Sequence, residues 1–334
     1  MVWKGMLRRW EHGVFGQFIS MGKGKQFFSG KLCHLLLCRE VVHPYGRPDE
    51  MWFRVGGRAI KFRKEEFLLL TGLRFRSLPK GAVTQYISTP SNVHHRYFHG
   101  LPTHLEDIIH KLREVEQFDL EDDVLKLGYV FFLSHILLGR DYRRIVPNWL
   151  WGMVEDVIAF EAYHWGTYIY SLTIYWLGKA LKGRIDKKKQ NRQQNGEQQN
   201  EDSSKSQDIG YYYWAMEAIP KLTGVVGVQR GDGFPRVRRW YDRKKSLNLQ
   251  KEFTNELEAL TLTPTPSDEE RRQACYLHFD PDQFVGPLKH KDGGLGDDSE
   301  DDEDPNVRGK RCRAPMGRGR GRGKGKGRGK SRRG

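Results

Sequence analysis

The sequence has few cysteines, no long uncharged apolar run and, at its C-terminal end, no acidic residue. The most apolar segment, residues 163–181, is rich in Tyr and Thr and falls short of the roughly 20 apolar residues that a membrane span needs. We therefore predict no membrane partner. The four cysteines do not form the regular framework of a small disulfide-stapled secreted domain; they are Cys33, Cys38, Cys275 and Cys312.

Positive charge is distributed unevenly along the chain. Its 57 Lys and Arg residues stand against 42 Asp and Glu, which gives a net charge of +15. Residues 308–334 hold 13 of these cations and no acid, so 44 cations and all 42 acids, a net +2, remain in residues 1–307. This pattern excludes a uniformly basic nucleic-acid-binding fold. It predicts a nearly neutral body followed by a basic tail.

Hydrophobic periodicity predicts an α+β, mostly α-helical fold for the body. Two β-favouring runs flank Gly56 and Gly57 and predict a small β-hairpin near residues 51–62. The run RKEEFLLLTGL predicts a helix that ends at Gly72. Residues 76–100, which include HRYFH at 95–99, are rich in Pro and Gly and predict a loop. Apolar spacing predicts further helices over residues 26–42, 104–115, 124–138, 148–160 and 167–181.

Composition divides the chain into seven segments. The clearest change occurs at residues 183–209, which are rich in Gln, Asn, Lys and Ser, have no aromatic residue and are therefore predicted to be a disordered insertion. The others are an N-terminal extension (1–29), two parts of one domain (30–182 and 210–241), a poorly ordered region (242–296), an acidic run (297–304) and a disordered Gly/Arg/Lys-rich tail (305–334).

Five motifs resemble a known family. They are WFRVGGRAIKFRKEEFLLLTGLRF (52–75), LKLGYVFFLSHILLGRD (125–141), DVIAFEAYHWGTYIYSLTI (156–174), YYYWAMEAIPKL (211–222) and FPRVRRW (234–240). In this order they resemble a plant-specific domain of unknown function that occurs in proteins of Mutator-like transposable elements. That domain often precedes a cysteine peptidase domain of the ubiquitin-like-protein (SUMO) protease class. The resemblance implies a plant transposon context and supplies no catalytic residues.

We expect this sequence to lack the peptidase domain. A cysteine peptidase needs a thiolate, a histidine base, an orienting Asp or Asn and oxyanion donors. His164 and Trp165 match the His-Trp pair of SUMO proteases superficially, but they lie in an apolar helical region. Neither Cys275 nor Cys312 follows the Gln-containing, Gly-rich stretch that shapes the oxyanion hole. We interpret His164 as an ordinary helix-start residue and predict that the protein is not an enzyme.

Residues of metal-ligand type cluster at Cys33, His34, Cys38 and His43. On a helix, positions 33 and 38 are about 140° apart, so both cysteines would face one zinc ion only if the helix broke. A core-facing cysteine is the favoured interpretation, with a zinc site as the alternative. The glycines at 56–57 and 224–233 lack the Gly-Lys-Ser/Thr of a phosphate loop, and we predict no cofactor.

The tail carries the strongest functional signal. In GRGRGRGKGKGRGK (317–330), glycine alternates with cations that can replace the counterions of a nucleic acid. The segment resembles an AT-hook without its prolines and an RGG-type tail without its aromatics, which leaves DNA and RNA both open. Two basic runs in the body, 140–144 and 236–245, fit either a nucleic-acid face or solvated helix ends. The candidate nucleic-acid-binding residues are Arg318, Arg320, Arg322, Lys324, Lys326, Arg328 and Lys330.

The sequence therefore predicts a non-enzymatic, transposon-derived nuclear protein. Its body is expected to contact an unknown protein partner, and its tail is expected to bind DNA or RNA without sequence preference. Two alternatives stay open: a fragment of a peptidase-bearing transposon protein without its catalytic domain, and an interaction scaffold whose tail serves only nuclear import. The acidic run at 297–304 suggests a further hypothesis, in which it folds back on the tail and competes with nucleic acid.

Overall fold

The computed structural model describes residues 2–23, 30–55, 57–78, 82–114, 118, 120–193, 209–224, 226–242 and 263–285, all within one compact unit, Met1–Leu295. Helices predominate in these residues, and both sheets formed by them are two-stranded antiparallel hairpins. The predicted α+β, mostly helical fold is confirmed. The acidic run at 297–304 and the tail at 305–334, with all seven candidate nucleic-acid-binding residues from Arg318 to Lys330, lie outside the described residues.

The helices and strands follow one another in chain order. The helices are α1 (Val2–His12), α2 (Gly30–Leu37), α3 (Lys64–Thr71), α4 (Asn92–Phe98), α5 (Leu105–Arg113), α6 (Glu121–Phe131), α7 (Asn148–Glu155), α8 (Val157–Ala162), α9 (Trp165–Gln193), α10 (Ile209–Ala218) and α11 (Asp268–Arg271). The strands are β1 (Met51–Val55), β2 (Arg58–Phe62), β3 (Gly227–Gln229) and β4 (Trp240–Asp242). A π-helical segment, Phe132–Leu137, follows α6 directly.

The first hairpin and α3 form where the sequence predicts them. β1 pairs with β2 so that Phe53 lies opposite Ile60, and both side chains are buried. Gly57 turns the chain at a φ of 74°, a left-handed conformation that glycine adopts without steric cost. α3 ends at Gly72, which is also left-handed and donates its N–H to the carbonyl of Leu68.

The core is one continuous cluster, rich in large aromatic side chains. Trp149, Trp151, Trp165 and Trp214 are all fully buried. The first ten residues of α9 are buried on every side, so the start of this helix passes through the centre of the unit. Burial all round a helix is the arrangement expected of an element in the middle of a core, and it explains why residues 165–174 contain no charged residue.

The N-terminal extension belongs to the folded unit. Phe15 and Phe18 are buried in the core, and the ring of Trp10 lies 4.9 Å from that of Tyr129. Arg9 forms an ion pair with Asp122 at the start of α6. Residues 2–23 therefore pack against the domain that the sequence places at 30–182.

The loop predicted at residues 76–100 is wrong in its second half. Residues 92–98 form α4, because the hydroxyl of Ser91 accepts the N–H of His94 and caps the helix. The ring of His94 stacks on that of Trp151 at 4.5 Å. The HRYFH run is thus part of a capped helix packed on the core.

Three other helix predictions need correction. The helix predicted over 148–160 is two helices, because the carboxylate of Asp156 caps a new helix by accepting the N–H of Ala159. The predicted helix over 26–42 is confirmed only as α2, and residues 24–29 lie outside the described part of the chain. The helix predicted to end at residue 181 continues to Gln193, so residues 183–193 of the predicted disordered insertion are helical; residues 194–208 are not described.

The region 242–296, expected to be poorly ordered, contains a packed segment. Residues 263–285, called here the closing segment, bury Glu270 and Val285 against the body. This segment is held by long-range polar contacts, which local composition does not reveal. The rest of the region, 243–262 and 286–296, lies outside the described residues.

Candidate functional site

A cleft of about 320 Å³ lies between the first hairpin and the closing segment. The loop from His43 to Glu50 forms one wall, the start of α3 forms another, and Pro281 and Asp282 line the side of the closing segment. Acidic and basic side chains alternate around it. Clefts with several titratable groups are the default place to look for chemistry, so each group needs an account of its partners.

At the base of the cleft, buried charges hold the closing segment in place. Asp49 is only 4% exposed, and its carboxylate accepts the backbone N–H of Val285 at 2.9 Å. Arg47 pairs with Asp49 and donates to the carbonyls of Pro281 and Asp282 at 3.2 and 3.0 Å. The ammonium group of Lys64 donates to the carbonyl of Gln283. Burial lowers the pKa of Lys64.

Glu66 is the most strongly perturbed acid near the cleft. Its side chain is fully buried, and burial raises the pKa to about 7 against the opposing effect of Arg63. The carboxylate accepts the backbone N–H of Arg63 at 3.0 Å and the Nε–H of the same residue at 2.9 Å. Glu66 is therefore engaged as the capping carboxylate of α3. A glutamate at the third helical position is a signal for this cap that the sequence alone provides.

A second anchor fixes the other end of the closing segment. The carboxylate of Glu270 accepts hydrogen bonds from Arg236 at 2.8 and 2.9 Å, from Arg239 at 2.7 Å and from the backbone of Ser267 at 2.8 Å. Burial alone would raise the pKa of Glu270, but these bonds and the arginine charges outweigh it and lower the pKa to about 2. Arg236 also pairs with Glu217 at 3.0 Å.

This geometry assigns a structural role to Arg236 and Arg239 in the basic run 236–245. Both guanidinium groups are largely buried in ion pairs, so they are not displayed to phosphates. In the other run, 140–144, Arg143 pairs with Asp141 at 2.9 Å and the ring of Tyr142 stacks on His135 at 4.1 Å. Arg236 and Arg239 therefore fit neither a nucleic-acid face nor solvated helix ends, whereas both interpretations stay open for Arg143, which is 74% exposed.

The aromatic contacts of the closing segment lie between its two anchors. The ring of Phe279 lies 5.9 Å from that of Phe75, and the ring of Tyr276 lies 6.3 Å from that of Phe234. Cys275 is partly buried beside them, and burial raises its pKa to about 11. A thiol with a raised pKa is mostly protonated near neutral pH, which is opposite to the requirement for a nucleophile.

The outer rim of the cleft is aromatic. His43 stacks face to face on Trp52 at 4.0 Å, and the ammonium group of Lys61 lies 5.5 Å from the same indole. Tyr45 is 90% exposed and Val42 is 99% exposed. The ring of Tyr45 lies 6.1 Å from that of His43. Exposed apolar groups beside aromatic rings are typical of protein contact surfaces.

The candidate zinc residues are not arranged around one point. Cys33 is buried, whereas Cys38 is exposed, with its sulfur 3.6 Å from a ring nitrogen of His34. His43 stacks on Trp52 in the rim of the cleft. In the described ranges, no three His, Cys, Asp or Glu residues group as metal ligands would.

His164 directly precedes α9, in agreement with its interpretation as a helix-start residue. Burial lowers its pKa. Cys312, the second cysteine considered for a peptidase, lies outside the described residues. No described helix is both long enough and apolar enough to cross a membrane.

The hairpin of β1 and β2, the Gly72 helix end and the aromatic α9 start all come from the motifs quoted above. Residues 37–175 match the family model for a domain of unknown function (DUF1985). The match supports the predicted domain of unknown function and falls within residues 30–182. No curated protein and no solved structure matches the chain.

The DUF1985 match covers only one side of the cleft. Asp49 and Lys64 lie within the match, whereas their partners Val285 and Gln283 lie about 110 residues beyond its end at residue 175. Glu217, Arg236 and Glu270 are also outside it. The cleft is therefore assembled from the DUF1985 segment and from later parts of the chain.

Proposed function

We propose that the protein is a non-enzymatic nuclear protein of a plant transposon context, whose tail binds DNA or RNA without sequence preference. In this proposal the folded body contacts a protein partner. The transposon and plant context follow from the family resemblance, and the nuclear location follows from the basic tail with RGKRCR at 308–313.

The main support for the proposal is the concentration of positive charge in the tail. Residues 308–334 hold 13 cations and no acid. In the body, the basic run 236–245 has two arginines, Arg236 and Arg239, in ion pairs with Glu270 and Glu217. Cations neutralise phosphates and release counterions, so an acid-free sequence of 13 cations is the better candidate ligand for a nucleic acid than that run.

The hydrogen bonding of the charged side chains in and near the cleft supports a body without catalytic activity. Asp49, Lys64 and Glu66 each have hydrogen-bond partners that stabilise the fold. The raised pKa of Cys275 disfavours a thiolate. A site in which the perturbed groups already satisfy one another has little capacity left to transfer protons or attack a substrate.

The aromatic rim is the surface we assign to the protein partner. Tyr45 and Val42 are almost fully exposed beside the His43–Trp52 stack. Aromatic groups of this kind are enriched in protein interfaces, because they bury a large area at a small cost in conformational entropy.

A salt-titrated binding assay tests the nucleic-acid part. If half of the 13 tail cations contact phosphates, the tail should contribute roughly −4 to −6 to the slope of log K against log salt concentration. The full chain should be compared with a chain in which all cations of 308–334 are replaced by Gln. A full chain that does not bind, or binding that is insensitive to salt, contradicts the proposal.

A further inference from the structure

Helix α9 leaves the core after its first third. Residues 165–174 are buried, residues 175–178 are half-buried, and Lys179 and Ala180 are exposed. A Cβ added at Gly178 would meet no atom within 4 Å outside the helix. The helix nevertheless continues to Gln193, so residues 179–193 form a further 15-residue helical segment, about 22 Å long, which we call the basic arm.

The body's positive charge is concentrated on the basic arm. Its 15 residues include one acid, Asp186, and seven cations: Lys179, Lys182, Arg184, Lys187, Lys188, Lys189 and Arg192. Taking seven from the 44 cations and one from the 42 acids of residues 1–307 leaves 37 against 41, a net charge of −4. Seven of those acids belong to the acidic run at 297–304, outside the folded unit, so residues 1–296 carry a net charge of +9, of which the arm supplies +6.

Aromatic contacts fix the root of the arm. The ammonium group of Lys179 lies 4.6 Å from the ring centre of Tyr175 and 5.5 Å from that of Trp176. Both rings lie half-buried on α9, and Trp176 packs against the core. Cations near a helix C-terminus also interact favourably with the helix dipole, so the charge does not oppose the helix.

We propose that the basic arm is a second nucleic-acid-binding element and that its ligand is duplex DNA. An α-helix, about 10–12 Å across, fits the major groove of B-form DNA, which is about 12 Å wide. The major groove of A-form RNA is too deep and narrow for it. Continuous basic helices enter the DNA major groove in this way. Phosphate contacts dominate, so the arm discriminates duplex form and not base sequence.

This inference rests on the proposed function only in that both concern a nucleic-acid ligand. The tail, with alternating glycine, is suited to any nucleic acid, whereas a helix requires a groove of matching width. The arm and the tail should therefore differ in the kind of nucleic acid that they prefer. The arm prefers a DNA duplex over an RNA duplex, and the tail does not.

The test uses the full chain in three variants. The first has every cation of 308–334 replaced by Gln. The second has Lys182, Arg184, Lys187, Lys188, Lys189 and Arg192 replaced by Gln. A matched control loses six exposed cations elsewhere in the body: Arg54, Arg58, Arg74, Arg76, Arg113 and Arg272. Circular dichroism and thermal melting check that each variant is folded, and fluorescence anisotropy measures binding to DNA and RNA duplexes of equal length.

The tail-neutralised chain should still bind the DNA duplex, with a salt slope of about −5 from six cations, and should bind the RNA duplex about tenfold more weakly. Adding the six arm substitutions to it should abolish binding, while adding the six control substitutions should not. If the tail-neutralised chain binds neither duplex, the proposal for the arm is wrong and the proposal for the tail is unaffected. Equal binding of both duplexes, or an equal effect of the arm and control substitutions, also overturns it. If tail neutralisation changes nothing, the tail proposal fails and the arm stands.

Discussion

The carboxylate of Glu270 accepts hydrogen bonds from both Arg236 and Arg239, residues that lie more than 30 positions earlier in the chain. All three side chains are largely buried. This contact joins the closing segment to the second hairpin. Removal of this carboxylate leaves Arg239 without its acidic partner and Arg236 with Glu217 alone, so the segment should be sensitive to a single substitution.

Glu270→Ala should lower the free energy of unfolding by about 3–5 kcal/mol and release the closing segment. The release can be followed at Cys275, whose raised pKa of about 11 reflects its burial, because exposure returns the thiol to ordinary reactivity. Urea unfolding and the rate of alkylation of Cys275 are the measurements. Glu269→Ala is the control, since Glu269 is exposed on the same helix. Slow alkylation in both variants would show that Glu270 does not hold the segment.

Glu66 should make stability fall as the pH rises. Its pKa is raised from 4.5 to about 7 in the folded protein, so the folded state binds a proton more tightly than the unfolded state between these values. The wild type should therefore lose up to about 3 kcal/mol from pH 4.5 to pH 7 through this group. Glu66→Gln removes the titration and keeps an oxygen that accepts the N–H of Arg63.

Denaturant unfolding of the wild type and Glu66→Gln across that pH range separates this effect from other groups. The difference between the two proteins should grow with pH up to about 7 and then level off. Glu270 acts in the opposite direction and at lower pH. Its depressed pKa of about 2 contributes stability above pH 4.5 that is lost as the pH falls toward 2. Parallel curves for the two proteins would contradict the assignment to Glu66.

Two helical glycines should respond oppositely to alanine. A Cβ at Gly152 would lie 2.2 Å from the carbonyl oxygen of Tyr86, so Gly152→Ala should destabilise by about 1–3 kcal/mol or more through overpacking. A Cβ at Gly178 meets nothing within 4 Å, so Gly178→Ala should stabilise by about 1 kcal/mol through helix propensity. Thermal and urea unfolding of both variants give the comparison, and the same sign of change in both would refute it.

Local sequence signals were sufficient to predict the elements that depend on contacts between neighbouring residues. The glycine pair near residues 56–57 and the glycine at 72 mark a turn and a helix end, and both are where the sequence predicts them. The cap of α4 was also a local signal, since Ser91 precedes the helix, but the surrounding Pro and Gly residues obscured it. The arm was missed because Lys, Gln and Arg suggested disorder, although these residues are good helix formers.

The candidate site was less predictable because its contacts join distant parts of the chain. Asp49 meets the backbone of Val285 across 236 positions, and Lys64 meets Gln283 across 219. The sequence around the closing segment has neither a long apolar run nor a clear period. Only the fold shows that Arg236 is an anchor and not part of an open basic surface.

The packing of Trp214 against the first hairpin affects which segment of this chain can be expressed by itself. Its ring lies 5.3 Å from those of both Phe53 and Phe62, so α10 provides the cover for the apolar face of β1 and β2. Trp214 lies beyond the segment 37–175 that sequence comparison recognises. That segment, expressed by itself, would expose the apolar surface of Phe53 and Phe62 that Trp214 covers, and it should aggregate. The unit that sequence comparison recognises is therefore smaller than the unit that can fold.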